Sequence, residues 1–374
     1  MRIGFDGLTI TARPAGVGGS ALEILAHLAA LPDAPEIVAV LPRGSAADAR
    51  VAGRANVEIV RAPLDGPDTV RALFFQHLRL PRILRDRGAE ALVAPSFVIP
   101  LVASPPPSVV TFYDASWRRF PETKSLQFRT YMDRAVPASC RAARRVAACS
   151  EFARREVLDI VPGLAPEKVA VVPLGTRDLR VPADPDAALR RLGIAAPFVL
   201  AVSNFDPRKN LDALVRAWRR LRSEDGDRHA LVLVGDPARA ARLRERVGTV
   251  GGESLVTPGY VSDEDLGALY ARTALVAVPS LYEGFGLPVL EAFRAGAAVA
   301  CADRASLPEV AGDAAVLFDP TDDADIVRAL RDGLRAGPQR DARIVRGRTR
   351  SAEFTWERTA RAYLDLLRGR PDAR

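Results

Sequence analysis

Apolar residues fall in short runs, separated by stretches with helical spacing, along nearly the whole chain. In the first half, runs at 3–5, 37–41, 57–61, 91–94, 108–111 and 145–149 each suit one strand, and 19–30, 70–87 and 151–160 read as amphipathic helices. The second half repeats the alternation. Strands are predicted over 198–203, 230–234, 275–278 and 297–301, and helices over 211–221, 237–247, 288–295 and from Ser262 to about 272. Ser262 with Asp265 three residues on forms a short-armed capping box. Such alternation predicts α/β architecture with two mostly parallel sheets, each covered by helices on both faces. The stretch 173–197, with Pro182, Asp184, Pro185 and Asp186, reads as a linker and places a boundary near residue 180. Domains are therefore expected over 1–180 and 181–353, followed by an amphipathic helix over 354–368.

In open sheets of this kind ligands bind beyond the carboxyl ends of strands, where strand order reverses. Two stretches following strands carry the chemistry. The first is Pro279-Ser280-Leu281-Tyr282-Glu283-Gly284-Phe285-Gly286-Leu287-Pro288-Val289-Leu290-Glu291. Its glycines permit close backbone approach, and Pro288 opens a helix whose first amides lack intrahelical acceptors and suit phosphate or sugar hydroxyls. Glu283 and Glu291 supply carboxylates that accept hydrogen bonds from vicinal hydroxyls. The second is Ser203-Asn204-Phe205-Asp206-Pro207-Arg208-Lys209-Asn210, where a planar guanidinium and a point-charge ammonium suit a diphosphate. A glycine-rich turn, Ala15-Gly16-Val17-Gly18-Gly19-Ser20, follows the first strand.

Taken together, these stretches resemble glycosyltransferase family 4, the retaining family with the GT-B architecture. The resemblance rests on Glu283 and Glu291 with Gly284-Phe285-Gly286-Leu287 between them, and on Pro207-Arg208-Lys209-Asn210. It extends to Ser306-Leu307-Pro308-Glu309-Val310 with Gly312, and to Phe354-Thr355-Trp356-Glu357. It covers essentially the whole chain and is strongest over about 198–320. The resemblance implies two Rossmann-like doubly wound domains facing a central cleft, with the C-terminal helix around Trp356 and Tyr363 packed back on the first. It also implies transfer of a hexose-type sugar from a nucleotide-diphosphate donor to an acceptor hydroxyl, with retention and with neither a metal nor another cofactor.

Residue by residue, the resemblance has Glu291 bind the donor ribose, and Glu283 bind the donor sugar together with the amides of Gly284, Phe285, Gly286 and Leu287. Arg208 and Lys209 would neutralise the diphosphate in place of a divalent ion. Asn204, Gly18 and Gly19 would be further donor contacts. Tyr113 stands where the family has histidine, before Asp114; its hydroxyl donates a hydrogen bond but carries no proton charge near neutral pH. Asp114 either positions the acceptor or caps the next segment. Ser150 reads as a helix N-cap, and Arg155 as a contact to an anionic acceptor group. The donor is expected to be of the GDP-mannose type or a UDP-hexose, and the acceptor a small molecule, a glycan or a lipid-linked glycan. A sugar-nucleotide epimerase shares the architecture, and Tyr113 keeps open a pseudo-glycosyltransferase or nucleotide-binding protein.

Charge adds one feature. Between Arg118 and Arg155, ten basic residues against three acidic ones leave an excess equal to the whole net charge of +7. This stretch reads either as solvated helix faces or as a peripheral contact with an anionic membrane. No nucleic-acid module accompanies it, so nucleic acid is not expected as a partner. The chain has no apolar run long enough for a membrane span, and its start reads as a strand rather than a signal peptide. Three scattered cysteines and three scattered histidines offer no metal-ligand spacing. The expected location is the cytoplasm, either free or peripheral at the inner face of the membrane.

Overall fold

The computed structural model describes residues 1–64, 69–103, 105–195, 197–248 and 254–370. Two units emerge: Met1–Gly175 together with the segment from Thr355, and Thr176–Phe354. The first holds β1 (Arg2–Asp6), α1 (Val17–Leu28), β2 (Glu36–Pro42), α2 (Ala47–Val51), β3 (Val57–Ala62), α3 (Thr69–Phe74), α4 (Leu80–Asp86) and β4 (Ala91–Ala94). It continues with β5 (Ser108–Phe112), α5 (Ser116–Arg119), α6 (Leu126–Ala142), β6 (Arg145–Ala148), α7 (Glu151–Ile160) and β7 (Val169–Val171). Its strands run parallel in the order β3-β2-β1-β4-β5-β6-β7. Successive residues of β4 and β5 are buried whichever way they point, as both-face helix cover requires.

The second unit comprises α8 (Pro185–Arg191), β8 (Phe198–Val202), α9 (Leu211–Asp225), β9 (Ala230–Val234), α10 (Pro237–Val247), β10 (Leu255–Gly259) and α11 (Asp263–Arg272). Then come β11 (Leu275–Val278), α12 (Leu287–Ala295), β12 (Val299–Ala302), α13 (Leu307–Ala311), β13 (Val316–Phe318), α14 (Asp323–Leu334) and α15 (Pro338–Ala352). The parallel order is β10-β9-β8-β11-β12-β13. In both sheets the chain steps outward to one side and then crosses to the other, so the reversal lies between β1 and β4 and between β8 and β11. The final helix, α16 (Trp356–Arg368), packs within the first unit. There the Tyr363 hydroxyl lies 2.6 Å from Thr111 Oγ1, Thr359 donates to the Pro173 carbonyl, and Arg361 and Arg368 pair with Asp33.

Three local differences from the sequence expectation have physical causes. The stretch read as linker contains α8, with Asp184 accepting from the Ala187 amide and Pro185 in the first turn. Arg191 and Arg272 tie it to α11 through Asp265 and Asp186. The helix expected over 70–87 is broken by a π-helical turn at Phe75–Arg79, where the Leu80 amide reaches back to the Phe75 carbonyl. Pro81 follows at once and has no amide to continue the regular ladder. The strands β7, β10 and β13, unforeseen in the sequence, are all sheet edges.

At the end of β1, Asp6 is buried and its carboxylate accepts from Gln76 Nε2 at 2.7 Å and the Leu8 amide at 3.2 Å. Burial outweighs both bonds and pushes its pKa from 3.8 up to about 6. The folded state therefore favours the neutral acid: this group's contribution is full below pH 3.8 and is lost as pH rises through about 6. Two pKa units correspond to about 3 kcal/mol. In urea unfolding, the stability of Asp6→Asn relative to the parent is expected to rise by about that much between acid and neutral pH. A difference that stays flat with pH would show that the carboxyl titrates normally.

Candidate active site

In the second unit the two loops singled out in the sequence leave β8 and β11, adjacent strands on either side of the reversal. They are joined directly, since the Leu281 amide donates to the Arg208 carbonyl at 2.8 Å. Lys209 Nζ lies 2.5 Å from Glu283 Oε1, and the same oxygen accepts from Ser280 Oγ at 2.9 Å. Glu283 is 7% exposed. Burial alone would raise its pKa, but Lys209 and Arg208 outweigh burial and hold the carboxyl below its usual range. The carboxylate is thus charged and fixed at the mouth of the strand reversal. The Ser306 hydroxyl bridges the carbonyls of Glu283 at 2.9 Å and Phe285 at 2.7 Å, so it sets the path of the glycine turn.

Gly286 caps α12 with φ +116°, and a Cβ there would come 2.9 Å from Leu307 Cδ2. The backbone angle favours glycine, and Leu307 would have to shift to admit a side chain. No side chain caps α12; Leu287 offers its first amide, Pro288 has none, and the Val289 amide donates to the Gly286 carbonyl at 3.0 Å. A helix start of this kind carries partial positive charge.

Both cations have partners that the sequence did not reveal. Both were assigned to a diphosphate, yet each has a carboxylate beside it. Lys209 meets Glu283, and Arg208 Nε lies 3.7 Å from Asp206 Oδ1. Lysine has further N–H donors and the guanidinium further edges, so the pairing orients the two cations without exhausting them. Arg239 adds a third positive charge, 3.9 Å from Asp206 and bonded to the Asn204 carbonyl. The Asn204 side chain is exposed, and its Oδ1 accepts from the Asp206 amide, holding its own turn. Asn210 adopts the left-handed conformation at φ +55° and donates to the Pro320 carbonyl at 2.7 Å, a structural task for the last residue of that motif.

Glu291 lies in α12 with 5% of its surface exposed. Its Oε1 accepts from Arg177 Nε at 3.0 Å and Nη2 at 2.9 Å, and its Oε2 from the Tyr270 hydroxyl at 3.0 Å. Burial and the adjoining Glu291 carboxylate push the Tyr270 hydroxyl far above its ordinary pKa, so it stays a donor. Arg177 is bonded in turn to Asp263. Arg177, Tyr270 and Arg239 were not legible in the sequence. Arg177 falls in the stretch read as linker, Tyr270 in a helix that was predicted without any functional residue, and their partners stand 114 and 21 residues away.

The first unit places its expected site residues as follows. Gly18 and Gly19 belong to the first turn of α1 rather than to the loop before it. A Cβ on Gly18 would meet the Thr9 carbonyl at 2.4 Å, so that glycine serves backbone packing, whereas Gly19 has room for one. Tyr113 is buried, its hydroxyl donates to the Pro95 carbonyl at 3.0 Å, and its ring packs edge-on against Phe97. The donor assigned to chemistry is therefore engaged by the loop after β4, and burial raises its pKa well above the ordinary tyrosine value. Asp114 accepts from the Ser116 amide at 2.9 Å, which is the capping alternative. Ser150 caps α7 through the Ala153 amide, and Arg155 is exposed on that helix.

Residues 14–180 match the family described as Glycosyltransferase Family 4, and residues 191–350 match that described as Glycosyl transferases group 1. The O-antigen chain mannosyltransferase B of Escherichia coli is 33% identical over 281 residues, covering 73% of this chain and 73% of that protein. The serotype-specific mannosyltransferase WbdA of Escherichia coli is 32% identical over 67% of this chain, a stretch that spans 30% of its own length. Sucrose-phosphate synthase from Thermosynechococcus elongatus superposes with a TM-score of 0.78 at 18% identity, over 99% of this chain and 98% of that one. With its two Rossmann-like units and this kinship, the chain belongs to glycosyltransferase family 4 and is a sugar-transferring enzyme of the GT-B fold.

Proposed function

We propose that this glycosyltransferase moves a mannose-type hexose from a GDP-linked donor to a glycan or lipid-linked glycan hydroxyl, with retention and without a metal ion. The observation that carries the reading is the Lys209–Glu283–Ser280 cluster at the strand reversal, next to the uncapped start of α12. The diphosphate would lie against that helix start, Lys209 and Arg208, with Arg239 at the edge. Positive charge placed where the leaving diphosphate gains negative charge favours the transition state and takes the part a divalent ion plays elsewhere. Glu283, held charged, would accept hydrogen bonds from sugar hydroxyls, and Glu291 from the ribose. The two mannosyltransferase relatives favour the GDP-mannose type over a UDP-hexose. On the acceptor side we place Arg155.

A membrane contact belongs to the same reading, but through fewer cations than the charge excess suggests. Arg118 pairs with Asp133, Arg119 with Glu156 and Arg154 with Glu151.

The test is a thermal-shift screen of GDP, UDP, ADP and TDP sugars, followed by donor consumption with and without acceptor and with and without a chelator. Stabilisation by a GDP-sugar and acceptor-dependent, chelator-resistant turnover are expected. Consumption without acceptor would indicate an epimerase, and loss of turnover with chelator would refute the metal-free reading.

A further inference from the structure

Apart from Met1, the large apolar side chains exposed in the first unit among the described residues come from three separate segments: Phe74 at 63%, Val102 at 70% with Leu101, and Leu126 at 72% with Phe128. Their segments meet at one residue. His77, three positions after Phe74 on the same broken helix, accepts from the Leu101 amide at Nδ1 (3.0 Å) and lies 3.1 Å through Nε2 from the Tyr131 hydroxyl. Tyr131 stands three positions after Phe128 on α6 and packs edge-on against His77. Beside Phe74 is a largely apolar groove of about 290 Å³, lined by Pro63, Leu64 and Phe75 and flanked by Arg71 and Arg79. Lys124 and Arg129 bracket Leu126 and Phe128 in the chain. Soluble surfaces seldom carry several protruding apolar residues of this size on neighbouring segments, and here Arg71 and Arg79 flank the groove beside Phe74 while Lys124 and Arg129 neighbour Leu126 and Phe128 in the chain. In the second unit the exposed large apolar residues, Val181, Tyr260 and Val345, lie far apart in the chain.

We infer that the first unit seats on an anionic lipid bilayer through this patch, with Phe74, Val102 and Leu126 entering the headgroup–acyl boundary and Arg71, Arg79, Lys124 and Arg129 meeting lipid phosphates. Charge complementarity selects the occupant: apolar side chains alone would suit any hydrophobic partner, but apolar residues accompanied by Arg71, Arg79, Lys124 and Arg129 match a surface that is greasy within and negative at its headgroups. The inference rests on the membrane part of the function proposed above and moves the contact from the 118–155 stretch as a whole to this composite face.

The experiment is cosedimentation of the full chain with vesicles of phosphatidylcholine alone or containing about 30% phosphatidylglycerol, at low and high salt, without donor or acceptor. Binding to the anionic vesicles is expected, with little to the neutral ones. The Phe74→Ser/Val102→Ser/Leu126→Ser variant should lose affinity by roughly tenfold or more. Arg79→Glu/Lys124→Glu should lose it to a similar degree, and Tyr260→Ser/Val345→Ser should retain it. Unchanged far-ultraviolet circular dichroism and an unchanged thermal shift with nucleotide sugar show that the variants fold and that the donor reading stands independently. Equal binding to neutral and anionic vesicles, or parental binding by the apolar triple variant, overturns the inference. Self-association that the triple variant abolishes, in a protein that binds no vesicles, assigns the patch to a second copy and overturns it as well.

Discussion

Replacing Lys209 by alanine is expected to lower turnover by roughly 100- to 1000-fold, the usual loss when one preorganised donor to a developing negative charge is removed. The same change should destabilise the second unit by about 3 kcal/mol at neutral pH, because it leaves the buried Glu283 carboxylate with Ser280 and the more distant Arg208 charge. The sign follows from the titration. Glu283 is held below its ordinary 4.5, so the ion pair stabilises the fold above that pH and its contribution fades as pH falls through the depressed value. Adding Glu283→Gln to Lys209→Ala removes the stranded charge and should restore most of the stability but none of the turnover. Urea unfolding and initial rates separate the two effects. A single variant within a few-fold of the parental rate would mean that Lys209 is a structural partner of Glu283 and does not face the diphosphate.

Removal of the Glu291 carboxylate is the second large effect. Glu291→Ala should weaken binding of the free nucleoside diphosphate by roughly 100-fold, as expected when two hydrogen bonds to a charged acceptor vanish. It also strands the fully buried Tyr270 hydroxyl, a penalty of about 1–3 kcal/mol in stability. Titration calorimetry with nucleoside diphosphate, read beside the unfolding midpoint, tells the two apart. Tyr270→Phe removes the stranded donor while keeping the carboxylate, so it should bind nucleotide nearly as the parent does. Arg177→Ala should raise KM for the donor more than it lowers kcat if Arg177 serves to orient Glu291. Parental nucleotide affinity in Glu291→Ala would place the ribose elsewhere.

The central strands, the glycine turn before α12 and the caps Ser150 and Ser262 were legible because each depends on its own few residues. A strand buried on both faces must be an unbroken apolar run, and an N-cap needs only one hydroxyl at the right spacing. The edges were less legible. β10 carries Pro258 and Gly259, which interrupt its pattern, whereas β7 and β13 are three residues each inside the short apolar runs 169–172 and 314–318, which periodicity alone does not assign to a strand.

For the site, sequence alone singled out Glu283, Glu291, Arg208 and Lys209 as candidates, because residue type and position after a strand are local properties. Only the tertiary structure decided how they are partnered. Lys209 is coupled to Glu283 across 74 residues and Arg177 to Glu291 across 114, while Tyr113, exposed in no obvious way by its sequence, is buried with its hydroxyl on Pro95. Charge state, orientation and accessibility are set by neighbours that folding brings together, and a carboxylate or phenol carries no local mark of which distant group will meet it.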